Sequence, residues 1–259
     1  MASLVDTHAH LDFKDYDHDR ENIIERAKSA GLKWIVCIGS GEGIRSARNS
    51  IALARENPML YSTAGIHPHD AKMWRPEIRD EILELVQKPK QVALGEIGLD
   101  FAKDYSPHDA QELAFREQME MAVELDLPAV IHSRSAHGES FKIIKESGIK
   151  RGVMHCYSGD AELAKKLVSM GFYISVPGVI TFKNARNLVE VVKAIPLEYL
   201  LIETDCPFLT PEPHRGKRNE PSYVRLVAEK IAQVKGISFE EAAEQTTVNA
   251  ENIFGLGKS

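Results

Sequence analysis

Histidines and carboxylates recur in this chain at the ends of short apolar runs. The first run, Leu4 to His8, leads into Asp6-Thr7-His8-Ala9-His10. Strand side chains two apart share a face, so His8 and His10 point the same way. Val92-Ala93-Leu94-Gly95 ends in Glu96, and Pro128-Ala129-Val130-Ile131 ends in His132, followed by Ser133-Arg134. Val153-Met154 ends in His155, Gly65-Ile66 in His67, and Leu201-Ile202 in Glu203-Thr204-Asp205. Imidazoles and carboxylates are the ligands of zinc, manganese or iron and, less purely, of magnesium. Any one strand-end histidine is more often a hydrogen-bonded structural residue. The joint set His8, His10, Glu96, His132, His155 and Asp205 is another matter, because burying those groups together without a cation is costly. Six ligands exceed one tetrahedral site. Two divalent metal ions sharing one carboxylate use them economically, and Glu96, on the middle strand, is the expected bridge.

Other polar residues fall around this set. Asp205, a ligand at a strand end, is the candidate general base. Glu203 has the same parity one layer deeper, where it either orients a histidine or is a buried structural carboxylate. His67, Arg134 and Arg215 are the candidate phosphate contacts; arginine suits planar bidentate recognition. Arg215, Lys217 and Arg218 lie within four positions, a local basic feature whose plain alternative is a solvated loop held by surface ion pairs. Phe101, Tyr157 and Phe208 are the candidates for stacking bases. His18, His69, His108 and His137 read as surface or solvated residues. Cys156 and Cys206 each adjoin a proposed ligand and read as small packing residues facing away from it.

The elements that must carry these residues follow a regular rhythm. Strands are expected over Leu4–His8, Trp34–Gly39, Leu60–Ile66, Val92–Ile97, Ala129–His132, Gly152–His155, Phe172–Val176 and Leu200–Glu203. Amphipathic helices fall between them, among them 19–30, 43–56, 109–125, 161–170 and 184–194. Eight βα units in one chain of this length predict a closed (β/α)8 TIM barrel spanning 1–259 as one domain. Extra C-terminal helices follow over 222–235 and 239–253. The alternative is an open doubly wound sheet, but no GxGxxG follows the first strand. In a barrel the C-terminal strand ends meet at one mouth, where active sites are built.

Composition narrows the classes. The chain has 259 residues, 43% hydrophobic and 27% charged, which suits a globular protein rather than a disordered one. Its longest apolar runs fall far below the ~18 residues of a membrane span, and the start lacks a signal-peptide pattern. The expected setting is cytoplasmic, with no membrane partner, and the expected state a monomer. Three cysteines without CxxC spacing exclude a disulfide framework or a cysteine-rich zinc site. A net charge of -6 excludes a general Lys/Arg coat as the means of holding nucleic acid.

The motifs DTHAHLD, GIHPHD, GEIGLDF, IHSR, MHCYSG, ETDCPFL and PHRGKRNEP together resemble the TatD-like metal-dependent deoxyribonucleases, a branch of the amidohydrolase-like superfamily. The resemblance runs from Val5 to the C-terminal helices. It implies a barrel hydrolase using two divalent ions on nucleic-acid phosphodiesters, with single-stranded or end-exposed DNA as the expected substrate. By that resemblance His8, His10 and Asp205 hold one metal, His132 and His155 the other, and Glu96 bridges them. Two positions depart from the family pattern: Ser175-Val176-Pro177-Gly178 is not serine-rich, and Ser135 stands where an acidic residue is expected. Many amidohydrolases bridge their metals with a lysine of the fourth strand; here that strand offers Glu96. An amide or carboxylic-ester hydrolase, for example an aminoacyl-tRNA deacylase, is the competing reading of the same ligands. A non-catalytic barrel with structural metals is the third.

Overall fold

A computed structural model describes residues 2–257; Met1, Lys258 and Ser259 of the expected domain lie outside the described residues. All eight apolar runs are strands: β1 Leu4–Ala9, β2 Leu32–Cys37, β3 Leu60–Ala64, β4 Gln91–Asp100, β5 Ala129–Arg134, β6 Gly152–Met154, β7 Phe172–Val176 and β8 Leu200–Ile202. The helices are α1 Arg20–Ser29, α2 Ile44–Glu56, α3 Pro76–Leu85, α4 His108–Glu124, α5 His137–Ser147, α6 Ala161–Ser169, α7 Arg186–Ala194, α8 Val224–Lys235 and α9 Phe239–Phe254. Every ladder is parallel and the strands lie in chain order. This is the (β/α)8 barrel expected from the sequence. Of the two C-terminal helices, α8 completes the outer ring and α9 is the addition.

The lumen is filled by short apolar side chains. Val5, Val36, Ala93, Val130, Val153 and Leu201 form one cluster with Ala250, Ile253 and Phe254 of α9. Helix α9 therefore seals the end opposite the mouth, and Asn249 ties it there by donating to the carbonyls of Leu197 and Leu200, both at 2.8 Å. A second, larger cluster, including Leu94, Ile131, Ile174 and Phe115, packs the outer faces of the strands under the helices. Burying a side chain such as Phe115 stabilises by roughly 1.5–3 kcal/mol.

The seam between β8 and β1 is joined differently from the other ladders. Ala9 and Cys206 form a single bridge, His10 N donates to Cys206 O at 2.9 Å, and Asp205 N donates to His8 O at 2.9 Å. Beneath it Asp6, fully buried, accepts from Thr204 Oγ1 at 2.5 Å and Thr204 N at 2.9 Å. The two strand ends that carry His8, His10 and Asp205 are thus bound to each other directly.

Strand β4 runs to Asp100, three residues past the expected Ile97. The register with β5 slips between Gly95 and Ile97, which places Glu96 in a bulge. Gly98, at φ 137°, follows; a Cβ there would land on the carbonyl of His132. The close approach of β4 and β5 that sets Glu96 beside His132 requires that glycine.

Candidate metal centre at the barrel mouth

The strand ends converge as the barrel argument requires. His8 and His10, two apart on β1 and its extension, bring their Nε2 atoms to 3.3 Å. Asp205 Oδ1 lies 3.5 Å from His10 Nε2 and 3.7 Å from His8 Nε2. Glu96 is the hub. Its Oε1 lies 2.9 Å from His155 Nε2, 3.0 Å from His132 Nδ1 and 3.5 Å from His67 Nε2. Its Oε2 turns the other way, 3.5 Å from His8 Nε2 and accepting from Ser40 Oγ at 3.2 Å. One carboxylate thus presents separate oxygens to two histidine groups.

Three sets of side chains place their donor atoms within 4.8 Å of one another: His8, His155 and Asp205; His8, His10 and Glu96; and His67, Glu96 and His132. The chemistry fits a divalent cation. All donors are imidazole nitrogens or carboxylate oxygens, they are buried or nearly so, and they converge at coordination spacing. The grouping differs from the expected one at two residues. His155 stacks on His8 with ring centroids 3.7 Å apart, so it belongs also with His8 and Asp205. His67, expected to meet phosphate, stands instead among the candidate ligands.

The charges hold each other in place. Burial alone would raise the pKa of Glu96, but the imidazoles of His155 and His67, with hydrogen bonds at His132 and His155, keep it well below the carboxylate range. Burial likewise opposes charge on His155, and the carboxylates of Glu96 and Glu203 overcome it, driving its pKa well above the ordinary value. Asp205 is mostly buried, which would raise its pKa, yet its contacts with His10, His155 and His8 hold it down. His67 goes the other way: burial pulls it to about 4, so it is neutral and able to ligate. Glu203 has no exposed side-chain surface; its Oε1 accepts from Cys156 N at 2.7 Å and lies 3.2 Å from His155 Nδ1.

A cavity of about 570 Å³ opens over these residues. One wall is polar, carrying His67, His69, Glu96, Asp100, His132, Arg134, Ser158 and His155. The other is apolar, with Phe13, Val179, Phe208 and Leu209. Arg134, a candidate phosphate contact, is exposed and lines the cavity. Arg215 does not line the cavity: its guanidinium lies 4.3 Å over the ring of Phe182, and Glu212 sits 3.9 Å away. Arg218 is likewise engaged, donating to Asp19 at 2.6 Å. The basic loop is largely the ion-paired surface loop that stood as its alternative.

Two expectations fail at the mouth. His69, read as a surface residue, faces the cavity and pairs with Asp100 at 2.8 Å. Cys156, read as facing away, also lines it, because the chain leaves β6 at Met154 and Cys156 adopts φ 43°. His137 is half-buried, 3.0 Å from Ser133 Oγ. The residue missed outright is Asp100, whose Oδ2 also lies 3.3 Å from His132 Nε2. Asp100 follows Glu96 by four residues in GEIGLD, but the register slip between them hides its direction from the sequence, and His69 lies in the turn beyond β3.

The family model described as TatD related DNase matches residues 5–255. The metal-dependent hydrolase YabD of Bacillus subtilis is 47% identical over 255 residues, covering 98% of this chain and 99% of that protein. The 3'-5' ssDNA/RNA exonuclease TatD of Salmonella typhimurium is 35% identical over 260 residues, covering 97% and 98%. Among solved structures, the TatD homologue YjjV of Escherichia coli superposes with a TM-score of 0.92 at 30% identity, covering 98% of both chains.

Proposed function

The chain belongs to the TatD related DNase family, and on that footing we propose that it hydrolyses phosphodiester bonds of single-stranded or end-exposed DNA with two divalent metal ions, zinc, manganese or magnesium. The observation that carries the reading is Glu96, whose two oxygens face different histidine groups. In this reading His8, His10 and Asp205 serve one ion, His132 and His155 the other, with His67 as a further ligand of the second. The bound ions would acidify the attacking water and offset charge on the phosphoryl oxygens.

The chain's own residues do the rest. Asp205 retains 14% exposure and so can take the proton of the attacking water. Arg134, on the polar rim, meets a phosphate oxygen, while Arg215, on its own loop, serves a more distant phosphate. Asp100 holds both His69 and His132, fixing the side chains that shape the polar wall. Three free cysteines suit a reducing setting such as the cytoplasm. Exposed large apolar side chains away from the mouth, such as Leu113 and Val248, are scattered between helices, which favours a monomer acting as a single hydrolase domain.

The test uses chelator-stripped protein and end-labelled single-stranded DNA, with magnesium, manganese or zinc added back. His132→Ala, purified identically, controls for contaminating nuclease. Cleavage that requires metal and is lost in the variant supports the reading. Absence of cleavage with every metal, with metal still bound, would move the bond to an amide or carboxylic ester.

A further inference from the structure

The cavity has a wall that the metal chemistry does not use. Phe208 is 51% exposed, among the most exposed large apolar side chains of the described residues, and it stands beside the candidate ligands rather than on the outer surface. It follows Asp205 by three residues, and its backbone is fixed. Its N–H donates to Asp205 O at 2.9 Å, and its carbonyl accepts from Asn219 Nδ2 at 2.6 Å. Its ring meets Phe13 edge-on at 6.1 Å, and Phe13 in turn stacks on His10 at 4.7 Å. Gly41 packs against the edge atoms of the Phe13 ring, where a Cβ would stand 3.1 Å away. A flat aromatic surface is thereby held at a set distance from Asp205 and His10, with Val179 and Leu209 beside it.

An occupant of this cavity must be anionic where it meets Arg134 and the cations, and flat and apolar-faced a few ångströms away. A nucleotide has that division. Deepening the nuclease reading on which it rests, we propose that Phe208, backed by Phe13, stacks on the nucleobase adjoining the scissile phosphate. A base can lie there only if it is unpaired, so the platform selects single strands and frayed ends. The apolar wall formed by Phe13, Val179, Phe208 and Leu209 presents no polar side-chain group to a base edge, so base identity matters little. Phe208 is in this role a specificity-determining residue: it places the substrate and takes no part in proton transfer.

The test compares two end-labelled oligonucleotides in the metal-loaded enzyme, one intact and one abasic at the terminal nucleotides. In the wild type the abasic substrate should show a KM about 5- to 150-fold higher, the worth of one base–aromatic stack. Phe208→Ala should raise KM for the intact substrate by that factor and bring the ratio between the two substrates near one. Phe208→Trp should restore the ratio. Phe208 is exposed, so thermal unfolding of the variants serves only to confirm an intact fold. A ratio in Phe208→Ala equal to that of the wild type overturns the platform and leaves the nuclease reading standing. A wild type that cleaves neither oligonucleotide with any metal overturns both.

Discussion

Glu203 is the residue whose replacement separates a metal-orienting role from a structural one. Its side chain is fully buried, with Oε1 shared between Cys156 N at 2.7 Å and His155 Nδ1 at 3.2 Å. Glu203→Gln keeps the shape. The amide oxygen can still accept from Cys156 N, and the amide nitrogen then falls where Oε2 stands, a buried atom with no hydrogen-bond partner. What is lost is the charge, one of the two carboxylates that raise the pKa of His155. A less basic, less firmly aimed imidazole binds a divalent ion more weakly. Loss of such an outer partner typically costs 10–100-fold in affinity, or about 1.4–2.7 kcal/mol. Stability of the metal-free protein should change little, because a neutral amide is easier to bury than a carboxylate and so offsets the disturbed bonds. The assay is titration of chelator-stripped protein with zinc or manganese against a chromophoric chelator, with thermal unfolding of the apo form alongside. Metal affinity within twofold of the wild type, together with a clearly lowered Tm, would falsify the orienting role and leave Glu203 a structural carboxylate.

Asp205→Asn tests the proton acceptor: Asn tolerates the left-handed backbone that Asp205 adopts at φ 55°, so the fold should stand while kcat falls about 10²–10⁴-fold. A loss below tenfold, at metal content equal to the wild type, would assign the proton to another group. Away from the mouth, Arg26 clamps Glu220 through contacts of 2.7–3.1 Å, tying α1 to the turn before α8. Burial would raise the pKa of Glu220, but the hydrogen bonds from Arg26 and Ser222 outweigh it and lower it from 4.5. The stability that this pair contributes is therefore present above pH 4.5 and lost as pH falls through the lower folded-state value. With Arg26 half exposed, Glu220→Gln should cost about 1 kcal/mol near neutrality. Urea midpoints of wild type and variant should converge in acid; an undiminished gap there would mean the effect is packing rather than charge.

The barrel was legible because each strand had to be apolar and each helix amphipathic, and both patterns are written locally. Phe172–Val176 coincides residue for residue with β7. The candidate ligands were legible for a similar reason: a side chain at a strand end in this fold has only one place to go. What was not legible depends on how the strands depart from regularity. The extension of β4 through its bulge carries Asp100 into the mouth, and neither the slip at Gly95 nor the approach at Gly98 is visible in an apolar pattern. Parity arguments stop where the strand stops, which is why Cys156, past the end of β6, turned inward. Arg215 shows a different limit: its place outside the cavity was not legible. Its composition suggested a phosphate contact, but the aromatic ring and carboxylate that occupy it are set by tertiary packing.

These departures gather where function would need them. Of the six described residues other than glycine with positive φ, Ser135, Cys156, Asp205 and Leu209 all lie just beyond the C-terminal ends of β5, β6 and β8. Residues held in that region cost of order 1–3 kcal/mol each when the surroundings do not favour it. The mouth can hold them because the surrounding bonds over-determine the chain: Asp205 N is taken by His8 O, and Thr204 is locked to Asp6 from below. A strand continued straight past Ile202 would carry the Asp205 carboxylate up and away. The left-handed turn brings it back over His8 and His10, and three residues later sets the ring of Phe208 over the same cavity. The conformation that places a candidate metal ligand is thus the one that places the candidate base platform, so a change that relaxes this turn should weaken metal affinity and preference for unpaired bases together.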